Sequence, residues 1–169
     1  MKKVTGEQAK QSKRYAWIAA HRGGPLSLSD RQQLIRWARE CVEHVLHLIE
    51  GRTDYRIIDA LTTAKEWETG NVSTGTCMKK SLAAHAAARA SVNEIHRAIA
   101  RAAGQAVATA HMADHSLGGA YYALKAIKLT DLDLMTEKQW QENRLSVLPP
   151  QLQQLIRETW QDKKLGERV

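Results

Sequence analysis

Apolar residues recur three and four positions apart along most of the chain, and no stretch shows the strict alternation of a half-buried strand. The first run is Leu34, Ala38, Cys41, Val45, Leu48 and Ile49, widened by Ile35, Val42 and Leu46, with Arg36, Arg39, Glu40, Glu43 and His47 opposite. It predicts an amphipathic helix over about 30–50, opened by a capping box of Ser29 with Gln32 and closed by Gly51. Asp54 caps a second helix to about Thr69, with Ile57, Ile58, Leu61, Ala64 and Trp67 inward and Gly70 as its stop. A third covers about 74–90. The fourth starts near Asn93 and aligns Ile95, Ile99, Ala102, Ala106, Ala110, Ala113 and Leu117. It either runs on or breaks near Gly118-Gly119, before Tyr121–Ile127. Thr136–Val147 forms a further helix; Pro149-Pro150 ends it, and Leu152, Leu155, Ile156 and Trp160 complete a last segment started by Pro150. The expected fold class is all-α: a single-domain compact bundle of about six to eight helices, open to repeat-like stacking of helical hairpins.

Residues 82–128 hold 17 alanines in 47 positions, so helix propensity is high and neighbouring axes can approach closely. These Ala-rich helices are expected at the centre. Gly104 points the same way, because a glycine inside a helix costs about 1 kcal/mol against alanine and marks a close contact. In a continuous helix Gly104, Ala108, His111 and His115 would form a narrow stripe opposite the Ile95–Leu117 stripe, with both faces covered.

Composition narrows the class without naming a function. With 43% hydrophobic and 25% charged residues in 169, the chain is too apolar for disorder. Three prolines and no Phe disfavour a β-sandwich, and no apolar run could span a bilayer, so no membrane partner is expected. The net charge of +7 is uneven: residues 1–28 carry six basic groups and one acidic, while the other 141 carry nineteen and seventeen. Residues 1–25 therefore read as a basic leader and 26–169 as the helical domain. A basic tail on a near-neutral body makes a weak case for nucleic acid. The leader's apolar stretch, Tyr15–Ala20, is too short for a secretory core of about 7–15 residues. Cys41 and Cys77 are not in C-x-x-C spacing, so a cytoplasmic protein with free thiols is expected.

His111 and His115 are spaced i, i+4, and with His85 on a facing helix they could hold a transition metal. The glutamate of H-E-x-x-H is missing, because Met112-Ala113-Asp114 follows His111. The stronger reading is three hydrogen-bonded rings in a tight bundle, with no cofactor, no catalytic residue and no enzymatic activity expected. Gly104, His111 and His115 then stand as a candidate polar binding stripe. Glu40–His44 and Glu43–His47 read as solvated i, i+4 pairs. His21-Arg22-Gly23-Gly24 lacks phosphate-loop spacing and reads as a flexible lead-in. Trp37 is placed to cap the core, while Trp17, Trp140 and Trp160 are candidate aromatic anchors, docking an arm onto the body or marking an interface.

The segments LSLSDRQQLIRWARECVEHVLHLIE (26–50), DALTTAKEW (59–67), AHAAARAS (84–91) and ARAAGQAVATAHMADHSLGGAYYALKAI (100–127) resemble the immunity-protein family of bacterial polymorphic toxin systems. The likeness spans about 26–160, and its most specific part is GQAxATAHxxxH. The connection at Gly51–Tyr55 lacks the proline associated with the family, and the leader lies outside it. The resemblance implies a small bacterial cytoplasmic all-helical protein that neutralises a cognate toxin by occlusion. It carries over no functional residues. The body's charge fits a toxin with an acidic surface better than a nuclease whose site would be covered by phosphate-mimicking carboxylates. The rival classes are a metal-binding helical protein using His85, His111 and His115, and a nucleic-acid accessory using the leader. Self-association is compatible with all three.

Overall fold

Polar caps decide where the helices start. Ser27, not Ser29, opens α1 (Leu28–His44): its hydroxyl accepts from the Asp30 amide at 3.0 Å, and the Asp30 carboxylate accepts from the Ser27 amide at 2.9 Å. The box is thus Ser27/Asp30, two residues earlier than the Ser29/Gln32 spacing suggests. Asp54 caps α2 (Tyr55–Glu68), Ser73 caps α3 (Thr74–Ala90) and Asn93 caps α4 (Glu94–Ala108), each accepting a backbone amide of the first turn. After α5 (His115–Lys128), Asp133 caps α6 (Leu134–Leu145). Pro150 opens α7 (Pro150–Asp162), and the short α8 (Leu165–Arg168) follows. The computed structural model describes residues 13–169, and the protein is an all-α bundle.

Several boundaries differ from the sequence reading, and the helix expected over Thr136–Val147 runs from Leu134 to Leu145 because Asp133 caps it. The first helix stops at His44, and the chain tightens into a 3₁₀ turn at Leu46–Leu48; Gly51, at φ 77°, belongs to the loop beyond. The Asn93 helix neither continues to Leu117 nor breaks at Gly118-Gly119. It ends at Ala108, a turn occupies 109–114, and both glycines lie inside α5. No glycine or proline lies in that turn. What stabilises the break is tertiary: buried Arg31 of α1 donates to the Ala110 carbonyl at 2.6 Å, a partner for an acceptor that a helix end would leave unpaired.

α4 is the central element, packed by α1, α2, α3 and α5. Nine of its fifteen residues are buried, all of them Ala, Gly, Ile or Val, which lets neighbouring axes come close. Gly119 shows how close: a Cβ there would lie 3.2 Å from the Ala38 Cβ of α1 and 3.4 Å from the Ala106 Cβ of α4. Leu34, Ile35, Val42, Ile57, Ile99 and Val107 fill the core around this contact. Cys41 and Cys77 are buried free thiols whose pKa burial raises, Cys77 to about 11.

The N-terminal arm docks on the opposite end of the chain. Trp17 donates its indole N–H to Thr159 of α7 at 3.1 Å. Instead of a loose lead-in, residues 18–26 close on themselves through Ala20 N–Leu26 O and Leu26 N–Ile18 O bonds, with Gly24 pressed against the Ile18 carbonyl. Residues 1–12 of the leader lie outside the described residues.

Candidate functional site

The polar stripe expected from the sequence is only partly assembled. The break at 109–114 takes His111 off the helix that carries Gly104, so His111 and His115 do not share a helical face. His85 of α3 packs its ring on Gly104, where a Cβ would lie 2.8 Å from both Cε1 and Nε2. His115, the first residue of α5, pairs its Nδ1 with Gln105 Oε1 at 2.6 Å. The Gln105 side chain in turn lies against Gly118. The outcome is a seam in which glycines on α4 and α5 make room for a histidine and a glutamine. Ser81, one turn before His85, ties α3 to the Gly104 carbonyl at 2.9 Å.

The surroundings of both imidazoles work against the charged form. Burial lowers the His85 pKa, helped by Arg101, His115 and Arg89. Burial likewise lowers His115, with His111 and Lys163 adding to the effect and Asp114 opposing it. His85 Nδ1 is buried without a hydrogen-bond partner among the described residues, so the tautomer protonated at Nε2 hides only a lone pair there. No group of three or more His, Cys, Asp or Glu side chains among the described residues is arranged to hold a metal, and His85, His111 and His115 do not make one.

A second polar cluster was invisible to helical spacing. His44 does not pair with Glu40 but with Glu137 of α6, Nδ1 to Oε2 at 2.8 Å, and its ring stacks on Trp140 with centroids 3.8 Å apart. Glu40 instead meets Arg144 of α6 at 2.6 Å, and Glu43 meets Arg39 at 2.6 Å. Glu137 is almost fully buried, with Oε1 unpartnered among the described residues, and burial raises its pKa against the pull of His44. These groups clamp α6 to α1. Trp140 thus belongs to the clamp, and Trp37 donates to the Gln141 carbonyl at 3.3 Å beside it. Trp160 lines a cleft of about 250 Å³ between α1, α6 and α7, together with Trp37, Leu145 and Ile156. A wider cleft of about 340 Å³ lies where Arg52–Tyr55 face His96 and Ser91. In the wider cleft the Ser91 hydroxyl donates to the Asn93 carbonyl at 3.0 Å, not to the His96 ring.

Fold and side-chain geometry therefore define an all-helical bundle in which polar side chains tie neighbouring helices together. The sequence profile described as Imm-5 like putative immunity protein matches residues 24–148, from the loop before α1 through α6, and the chain belongs to that family. No curated protein and no solved structure matches it. Among the described residues no helix is long and apolar enough to cross a membrane.

Proposed function

We propose that this protein binds a cognate bacterial toxin in the cytoplasm and neutralises it by covering the toxin's active site. The observation that carries this reading is family membership across α1–α6, the whole helical body apart from its last two helices. Occlusion asks for a preformed surface of roughly 800 Å² per partner with a few well-placed anchors, and no chemistry of its own. A bundle whose helices are tied to one another by ion pairs suits that demand, since it offers a preformed surface. The body's slight positive charge favours a toxin that presents carboxylates.

The experiment is co-expression with any toxin domain whose gene is found beside this one. Growth that collapses with the toxin alone and recovers with this chain, together with a co-eluting complex on size exclusion, is the expected result. Cell death in the presence of abundant, folded protein would reject the reading.

A further inference from the structure

The charge of the body is not spread evenly. Between Glu68 and Asp114 the chain carries five Lys and Arg residues and one carboxylate, Glu94. The rest of the chain from residue 29 onward carries fourteen basic and sixteen acidic groups. The positive excess of the body is therefore entirely on the segment that forms α3 and α4. Lys80 is matched by Asp59 of α2 at 2.9 Å. Lys79, Arg89, Arg97 and Arg101 form no salt bridge among the described residues.

Geometry gathers these cations around an apolar ridge. Met78, Leu82, His85 and Arg89 are spaced i, i+4, i+7, i+11, so they form one stripe of α3. Met78 is 41% and Leu82 69% exposed, and Arg89 is exposed at the far end. The His85 ring rests on Gly104 of α4, which places the α3 stripe along the seam with that helix. Arg97 and Arg101, one turn apart on α4, precede Gly104 by seven and three residues and so share its side of the helix; Arg101 and Arg89 both act on the His85 ring electrostatically. Methionine and arginine are enriched where proteins meet, and charge is distributed to steer and orient the partner.

We infer that the α3–α4 face is the toxin-contact surface, and that it takes an acidic protein surface: Met78 and Leu82 bury against an apolar patch while Arg89, Arg97 and Arg101 pair with carboxylates around it. The inference rests on the toxin-neutralising reading and names the surface that reading leaves open. A nucleic acid is the other anionic partner, but a phosphate backbone gives the Met78–Leu82 ridge nothing to bury against.

The test uses a purified, catalytically inactivated toxin domain whose gene is found beside this one, titrated calorimetrically with the full chain. Arg89→Glu/Arg101→Glu should weaken binding about 100-fold or more, and Leu82→Glu about tenfold or more. A control with the same charge change on α2 and α6, Lys65→Glu/Lys138→Glu, should stay within about threefold, so that net charge alone is not the cause. Leu82 is open to solvent, so its variant keeps the fold, and circular dichroism verifies this for each protein. Wild-type affinity in both face variants, with rescue by wild type intact, would place the contact elsewhere and overturn this inference while sparing the proposed function. A wild-type chain that neither binds nor rescues removes the proposed function and this inference with it. Tight, salt-sensitive binding of wild type to an RNA or DNA oligonucleotide, lost in Arg89→Glu/Arg101→Glu, would assign the face to nucleic acid and overturn it as well.

Discussion

Gly104→Ala should change sign with the residue at position 85. An alanine Cβ would meet His85 Cε1 and Nε2 at 2.8 Å and Cδ2 at 3.0 Å. Ordinary carbon contacts are near 3.5–4.0 Å, so the overlap is about 1 Å and the half-buried ring must swing outward. Overpacking of this kind costs about 1–3 kcal/mol. Against it stands the helix propensity that alanine gains over glycine, about 1 kcal/mol. The expected net is a loss of about 1 kcal/mol, or a melting temperature lower by about 2–4 °C for a domain of this size. With His85→Ala in place the overlap disappears and only propensity remains, so the same substitution should stabilise by about 1 kcal/mol. The coupling, about 2 kcal/mol, is read from urea unfolding of the four proteins of the cycle, followed by far-UV circular dichroism. If Gly104→Ala stabilises by the same amount in both backgrounds, the ring-on-glycine contact is not the reason this helix carries a glycine.

Three further predictions address the caps, the break and the histidines. Ser27→Ala should cost about 1 kcal/mol and Ser29→Ala less than about 0.5 kcal/mol in urea titrations; the reverse order would return the capping box to Ser29. Arg31→Met leaves the Ala110 carbonyl without its donor and should cost about 1–3 kcal/mol, with faster amide exchange across 109–114; unchanged exchange there would show that the turn does not depend on Arg31. His85 and His115 have folded pKa values below 6.5, so the unfolded chain takes up their protons first. The stability they contribute is present above pH 6.5 and is lost as pH falls through the window beneath it. His115→Gln should flatten that part of the stability curve, and an unchanged slope would exclude His115 as a source.

Local signals were legible and long-range ones were not. Asp54, Asn93 and Pro150 start helices where the sequence places them, because each acts on amides or dihedrals within its own first turn. The α1 cap was ambiguous because Ser27 and Ser29 each have a polar side chain three residues on, Asp30 and Gln32. In the turn after Ala108 the Ala110 carbonyl is met by an arginine 79 residues before it, and no periodicity records that. His44 had a plausible helical partner in Glu40, but the buried carboxylate of Glu137 lies 93 residues away and takes its place. Gly104 was the informative position: glycine in an Ala-rich helix signalled a close approach, and the structure supplies the His85 ring. Dividing the charge at residue 28 hid the asymmetry within the body, where the positive excess on α3–α4 is partly cancelled by its surroundings.

The central claim, neutralisation by occlusion, is tested most directly by titrating this protein into a purified, active toxin domain whose gene is found beside this one and following turnover. The account predicts that activity falls in proportion to added protein and vanishes near one equivalent, with Leu82→Glu and Arg89→Glu/Arg101→Glu requiring a large excess. Full turnover by the toxin in the presence of saturating, folded wild-type protein would contradict it.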